Sequence, residues 1–477
     1  MKHLLTLIIA LMPLCALSQT SESNNYFNQG QAYFGQQKYA EALACLEKCD
    51  SLDKIQLDPS NQNYSRAEYP IAMCRRGIAN QLGEQGNYDE AIKQETLAIA
   101  TIKKLTGEDN IDYADAINIL ATFYFYIGDI DEAIRLQHEV VGIVKKITGE
   151  DNPTYVNTLT RLTWYYERKG NIVEATKYRA IATELLRKNC GEENEEYLHS
   201  MCDLATKHNF TGNFAEAIRI QSIVVDTQKK TLGESNAEYL YNLRLLARYY
   251  KDKEDYTEAI RLQKQQTQLA QKYLGEESAE YAAALNDLGL CYHDLGDNDE
   301  AIRLLNMAME LQKKLTGEDN LDYSAILNNL AECYSATNKP SEALKIGLRA
   351  LEISEKHKDE RGINYIYSLN NVALYYSELN QFDEAIRTTK TAMDIYKDAI
   401  GEDNPTYCML AHNLASSYMQ AGKYAEAIRL LTKTMDIEKK FFSEGNLQYI
   451  AGNIVLSNCY LSDAQYDKAT DWFAQSF

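Results

Sequence analysis

Residues Asn110–Glu150 read NIDYADAINILATFYFYIGDIDEAIRLQHEVVGIVKKITGE. Asn110 is a residue type that caps helices. Behind it Ile117, Leu120, Ala121 and Tyr124 fall three or four apart, the buried stripe of a helix that runs to about Tyr126. Gly128 supplies the left-handed residue that ends it. Asp129 to Asp131 open a second helix, with Glu132 favoured in its first turn by the helix dipole. Ala133, Leu136, Val140 and Ile143 make its apolar face. Lys145 and Lys146 occupy its last turn and Gly149 closes the unit. The stretch predicts an αα-hairpin with one dry side on each helix.

That unit recurs. Tyrosine stands every 42 residues at Tyr113, Tyr155, Tyr197, Tyr239, Tyr281, Tyr323, Tyr365, Tyr407 and Tyr449. Alanine keeps the same step from Ala91 through Ala133, Ala175, Ala217, Ala259, Ala301, Ala343, Ala385 and Ala427 to Ala469. In sister units Pro153 follows Asn152 and Pro405 follows Asn404, at the first helical position, where a missing N–H costs nothing. A single catalytic domain has no reason to repeat in this way. A row of identical hairpins does, because each buries its apolar face on the next. The fold class is all-α, an α-solenoid of stacked αα-hairpins.

Leu120-Ala121-x-x-Tyr124 followed by Glu132-Ala133 resembles the tetratricopeptide repeat, with a period longer than that family's usual 34 or so residues. The Gly-Glu-Asp-Asn-Pro connectors and Leu327-Asn328-Asn329-Leu330-Ala331 resemble the kinesin-light-chain type of that repeat. The resemblance covers about Ser65 to the C-terminus and implies a right-handed solenoid that binds other proteins. Ala121 and Ala133 are small so that two helix backbones can approach. Residues 24–64 read as an irregular N-terminal helical pair, with Tyr39-Ala40-Glu41-Ala42-Leu43, and a polar connector. Residues 65–477 are the array, its last repeat incomplete. Lys253-Glu254-Asp255, Asn338 and Asn380 replace the hairpin glycine, and Pro340 sits near a first turn. Trp472, Phe473 and Phe477 on an open end lead us to expect either more chain beyond Phe477 or something docked there.

The formal net charge is −20. Nucleic-acid binding needs basic surface, so that class is set aside. The charge serves either the solubility of a long surface or a preference for basic partners. Residues 1–18 read as a signal peptide: Lys2 and His3 precede the apolar run Leu4 to Leu17, and Ala16-Leu17-Ser18 offers a cleavage site before Gln19. Leu14 before Cys15 departs from a lipoprotein box. The expectation is an exported protein, periplasmic or extracellular, with no integral membrane segment after cleavage. The remaining cysteines are odd in number, and Cys291, Cys333 and Cys459 share one phase too widely spaced to bridge, so they read as small buried residues. Cys45 and Cys49 lack further metal ligands.

In the family that the repeat resembles, the first helices of successive units line a concave groove. Carried over by phase, Asn118, Asn286, Asn328 and Asn370 stand on the inner wall, with Arg244 and His412 among the residues at the same phase elsewhere. Three asparagines in succession would form a ladder of about 20 Å at roughly 10 Å per unit, a match for six or seven extended residues at about 3.3 Å each. The amides either hold a peptide's main chain or bond to neighbouring helices. Trp164, Tyr241, Arg248, His293 and Tyr367, with Tyr126 and Phe210, face the groove by the same rule. Polar residues change from unit to unit, and no basic clamp for a terminal carboxylate is evident. Glu108, Glu150, Glu192, Glu234, Glu276, Glu318, Glu360, Glu402 and Glu444 repeat along one edge, which either attracts a basic partner or compensates helix N-termini.

The seven histidines are scattered, and there is no metalloprotease, serine-nucleophile, phosphate-loop or dinucleotide motif. The expectation is a non-enzyme without cofactor or metal. Its leading role is a scaffold or adaptor that binds peptide segments of partner proteins. The alternatives are a sensory or regulatory arm of a longer polypeptide, and a structural component of an envelope assembly.

Overall fold

The computed structural model describes residues 21–358, 362–402, 404–441 and 447–474. The leader, residues 1–18, lies outside the described residues, as do Glu360, Glu444 and Phe477. The chain forms two compact units, one up to Ile220 and one from Gln221. Among the described residues every element is an α-helix. The first unit holds α1 (Ser21–Gly35), α2 (Tyr39–Gln56), α3 (Glu68–Glu84), α4 (Tyr88–Thr106), α5 (Ile111–Tyr126), α6 (Ile130–Thr148), α7 (Pro153–Arg168), α8 (Ile172–Cys190), α9 (Glu195–Phe210) and the start of α10 (Phe214–Thr231). The second continues with α11 (Ala237–Asp252), α12 (Tyr256–Leu274), α13 (Ala279–Leu295), α14 (Asn298–Thr316), α15 (Leu321–Ala336) and α16 (Pro340–Lys356). It ends with α17 (Gly362–Glu378), α18 (Phe382–Ile400), α19 (Pro405–Gln420), α20 (Tyr424–Phe441), α21 (Leu447–Ser462) and α22 (Tyr466–Ala474). Within each unit consecutive helices pack on one another, so odd-numbered helices are the first, and even-numbered the second, of a row of hairpins. No described helix is long and apolar enough to cross a membrane.

The boundaries follow from side chains. Asn110, Asn152, Asn194, Asn236, Ser278, Asn320 and Asn404 each accept a backbone N–H from the first turn of their helix, which satisfies a donor the helix cannot. Gly128, at φ 88°, turns α5 into α6. The same left-handed slot is filled by Glu254 (φ 66°), Asn338 (φ 59°), Asn380 (φ 58°) and Ala464 (φ 58°), at a steric cost that glycine avoids.

The recurring alanines from Ala91 to Ala427 are wholly buried. Tyr113, Tyr155, Tyr197, Tyr239, Tyr323 and Tyr407 are buried as well. A polar thread runs beside this core. Gln137, Gln221 and Gln263 are buried, and each Nε2 donates to the carbonyl 21 residues on, at Thr158 (3.2 Å), Asn242 (3.2 Å) and Ala284 (3.4 Å). Glu95 fills the same slot in α4. It is 0% exposed, it meets Arg76 at 3.2 Å, and its Oε2 has no partner among the described residues. Burial outweighs Arg76 and pushes its carboxyl up to about 7.

All nine described cysteines are free, and most are buried. Burial pushes the thiols of Cys74, Cys291 and Cys333 up to about 12, so they act as packing groups. At the start of the chain Arg66 donates to Asp53 (2.7 Å), Asn24 (2.8 Å) and Ser23 (2.8 Å), tying the connector to α1 and α2.

Candidate functional site

In the second unit the first helices also meet one another: α13 touches α15, α15 touches α17, α17 touches α19 and α19 touches α21. The second helices make no comparable approach among the described residues. The first-helix side is therefore the shorter, inner side of this row. Its cross-helix contacts are offset by one residue from the repeat. Arg244 pairs with Asp287, Asn329 Nδ2 donates to Asn286 Oδ1 at 2.8 Å, and Asn413 Nδ2 donates to Asn370 Oδ1 at 2.7 Å, each across 43 residues. The asparagines at repeat phase thus meet the residue one position beyond phase in the next unit.

Asn328 departs from this rule and from its expected exposure. It is 6% exposed, its Nδ2 donates to Ser368 Oγ at 2.9 Å, and its Oδ1 has no partner among the described residues. Its would-be partner Asn371 donates instead to Glu332 at 2.8 Å. The Glu332 carboxyl is raised by burial, against the hydrogen bonds from Asn371 and Tyr367. Asn118 is half-buried on α5. His293 Nδ1 meets Asn298 Oδ1 at 2.6 Å.

What does stand open on the inner face is larger and more apolar. Tyr241, Tyr367 and Met409 share one repeat phase, Leu374 shares the phase of Arg248, and the four are between 41% and 60% exposed. In the first unit Trp164 is 36% exposed on α7, its ring 4.2 Å from that of Phe125 and beneath the Arg168 guanidinium at 5.5 Å. Tyr126 is exposed and stacks on Tyr88 at 5.0 Å. Phe210 is exposed at the end of α9.

The backbones of α11 and α13 come less close than those of the later first helices. Between them opens a recess of about 250 Å³ lined by Tyr241, Arg244, Leu245, Arg248, Lys251, Gln263, Asp287, Leu290 and Cys291. Lys251 bridges to Asp294 at 3.0 Å across the same gap. Leu245, Lys251, Gln263, Asp287 and Leu290 were not among the residues expected on this face from the sequence. For Lys251 the signal was present: Tyr241, Arg244, Arg248 and Lys251 advance by three, four and three residues, one stripe of a helix. Asp287 and Leu290 belong to the neighbouring helix and needed the offset of the contacts.

The edge glutamates have a different use from the one expected. Glu150 pairs with Lys145 (2.5 Å), Glu192 with Arg187 (3.3 Å), Glu234 with Lys229 (2.7 Å) and Glu318 with Lys313 (2.6 Å). Glu108 and Glu402 do the same with Lys103 and Lys397. The glycine that ends each second helix brings the next residue back beside the last turn, so these carboxylates compensate helix C-terminal cations and not N-termini.

Profiles described as tetratricopeptide repeat match residues 23–56, 114–154, 236–314, 282–356, 366–406 and 406–477, together more than half of the chain. The chain belongs to the tetratricopeptide-repeat family. The match at 23–56 makes the short-period first pair a repeat of the family's usual length. No curated protein matches the sequence. Among solved structures it is similar to the nearly identical TPR-like repeats assigned to a kinesin light chain of Podosopora anserina (26% identity, 43% of this chain, 98% of that one, TM-score 0.39). It is also similar to BtubC (BKLC) from P. vanneervenii (18% identity, 57% of this chain, 92% of that one, TM-score 0.33). A third is a Rap protein complexed with competence and sporulation factor (14% identity, 88% of this chain, 99% of that one, TM-score 0.43).

Proposed function

We propose that the chain is an adaptor that binds extended segments of partner proteins along the inner, first-helix face of its second unit. The observation that carries this is the exposure of Tyr241, Tyr367 and Met409 at one repeat phase, with Ala283 and Ala325 between the first two, and of Leu374 on α17. Large apolar side chains left open at a fixed phase cost hydration and repay it only when covered. Aromatic and arginine anchors are the usual energetic centres of interfaces. In this reading the asparagine amides of Asn286 and Asn370 tie neighbouring first helices, and the tyrosines and arginines beside them meet the ligand. Hydrogen exchange of the full chain, with and without a peptide selected from a random displayed library, is the test. Protection confined to α11, α13, α15, α17 and α19 supports the reading; protection confined to second helices defeats it.

The leader reading adds that this binding takes place outside the cytoplasm. Mass spectrometry of the native protein tests it: a mature chain that begins at Gln19 supports export, and retention of Met1 to Ser18 defeats it.

A further inference from the structure

The seam between α15 and α17 is polar along its length and incompletely bonded. Asn328 Nδ2 donates to Ser368 Oγ (2.9 Å), Asn371 Nδ2 and the Tyr367 hydroxyl both donate to Glu332 Oε1 (2.8 and 3.4 Å), and Ser335 Oγ donates to Glu378 (2.6 Å). Asn328 Oδ1, in a residue 6% exposed, and the hydroxyl of Tyr375, in a residue 0% exposed, are left without a partner among the described residues. Asn328 Oδ1 can only accept. Asn328 and Glu332 stand four residues apart on α15, neighbours on one stripe of the helix. An ionised Glu332 brings only acceptors to that stripe. A protonated Glu332 brings the donor that Asn328 Oδ1 lacks.

The position of Glu332 exposes its proton to the influence of a ligand. The residue is half-buried and shares one repeat phase with Leu290 before it and Leu374 after it. The half-exposed Tyr367 is bonded to its carboxylate. A chain laid over Tyr367 and Leu374 removes water from Glu332 as well. No lysine or arginine bridges to it among the described residues. From α13 it is faced by His293 and Asp294, and Asp294 is itself paired with Lys251 at 3.0 Å. From α17 it is faced by Tyr367 and Tyr375, and on its own helix by Cys333. The second helices α14 and α16 meet α15 through apolar side chains, Ala301, Leu305 and Ala343 in clusters with Leu330, Ala331 and Cys333. Burial already outweighs the bonds from Asn371 and Tyr367 and the nearby His293, and holds the carboxyl above its ordinary value.

We infer that a segment bound along this face is received with uptake of a proton at Glu332, whose Oε2 then donates to Asn328 Oδ1 while Oε1 keeps Asn371 and Tyr367. This rests on the segment-binding reading above and adds its regulation by pH. The covered carboxyl keeps its proton to a higher pH than the open one. Affinity therefore falls as pH rises between those two values and is level on either side of them.

The test uses twelve-residue displayed peptides built without Asp, Glu or His, selected on the full chain at about pH 5.5. One selected peptide, synthesised with blocked termini, is titrated calorimetrically at about pH 5.5, 6.5 and 7.5 in two buffers of different ionisation enthalpy. That pair of buffers counts the protons taken up by wild type without recourse to a variant. Wild type should bind about tenfold tighter at the lowest pH than at the highest, with net proton uptake between them. Glu332→Gln, whose amide donates at every pH, should bind throughout as wild type does at the lowest pH and take up no proton. His293→Gln should keep the wild-type profile. Binding by wild type without uptake, uptake that survives Glu332→Gln, or uptake lost with His293→Gln would each overturn the assignment and leave segment binding intact. Absence of any enriched peptide would overturn both.

Discussion

Two residues place a charge or a side chain in a slot that does not favour it. Glu95 shares the phase of Gln137, Gln221 and Gln263, buried in α4 with its carboxyl raised to about 7. Because the folded value lies above the ordinary carboxylate range, the favourable state is the protonated one. Its contribution is complete below about pH 4.5 and is lost as pH rises through 7. Glu95→Gln should therefore match wild type near pH 4.5 and exceed it by about 3 kcal/mol at pH 8, measured by chemical unfolding at both values. The new amide would sit 21 residues before Ala116, the offset at which Gln137, Gln221 and Gln263 donate to a carbonyl. Glu254 carries a side chain at φ 66° where Gly128 and Gly296 have none. Glu254→Gly should stabilise by about 1 kcal/mol, read as a rise in unfolding midpoint.

At the scale of helices, the boundaries were legible because capping is local. Asn110, Asn152 and Asn404 announce a start, and Gly107, Gly149 and Gly401 a stop, without knowledge of any neighbour. The burial of Ala133 and its sisters was equally readable, since a strict period marks the packing face. The contacts between helices were not. Whether Asn286 meets a ligand or Asn329 depends on how far one helix slides against the next, and a sequence read repeat by repeat carries no record of that slide. The offset of one residue joins Asn286 to Asn329 and Asn370 to Asn413, while Asn328 is buried and bonds to Ser368 instead. Asn286→Ala and Asn370→Ala should each cost about 1 kcal/mol of stability while affinity for a selected peptide changes less than twofold. A larger fall in affinity at constant stability would return these amides to the ligand.

Over the molecule as a whole, a linear core lets each hairpin answer mainly to its neighbours, which is why irregular slots such as Asn338, Asn380 and Ala464 are tolerated without breaking the row. It also separates tasks. The buried alanines and glutamines hold the stack, and the first-helix surface is free to vary from Trp164 to Arg248 to Leu374 at one phase. The central claim is that this surface of the second unit is the working one. Calorimetric titration of a selected peptide against the full chain decides it, comparing Tyr241→Ala with Tyr367→Ala in one protein and Met307→Ala with Leu348→Ala in another. Met307 and Leu348 are similarly exposed apolar residues on second helices. The first pair should weaken binding about thirtyfold, from about 2 kcal/mol of lost anchor contacts, and the second pair by less than twofold. Equal losses, or the larger loss with the second-helix pair, would contradict it.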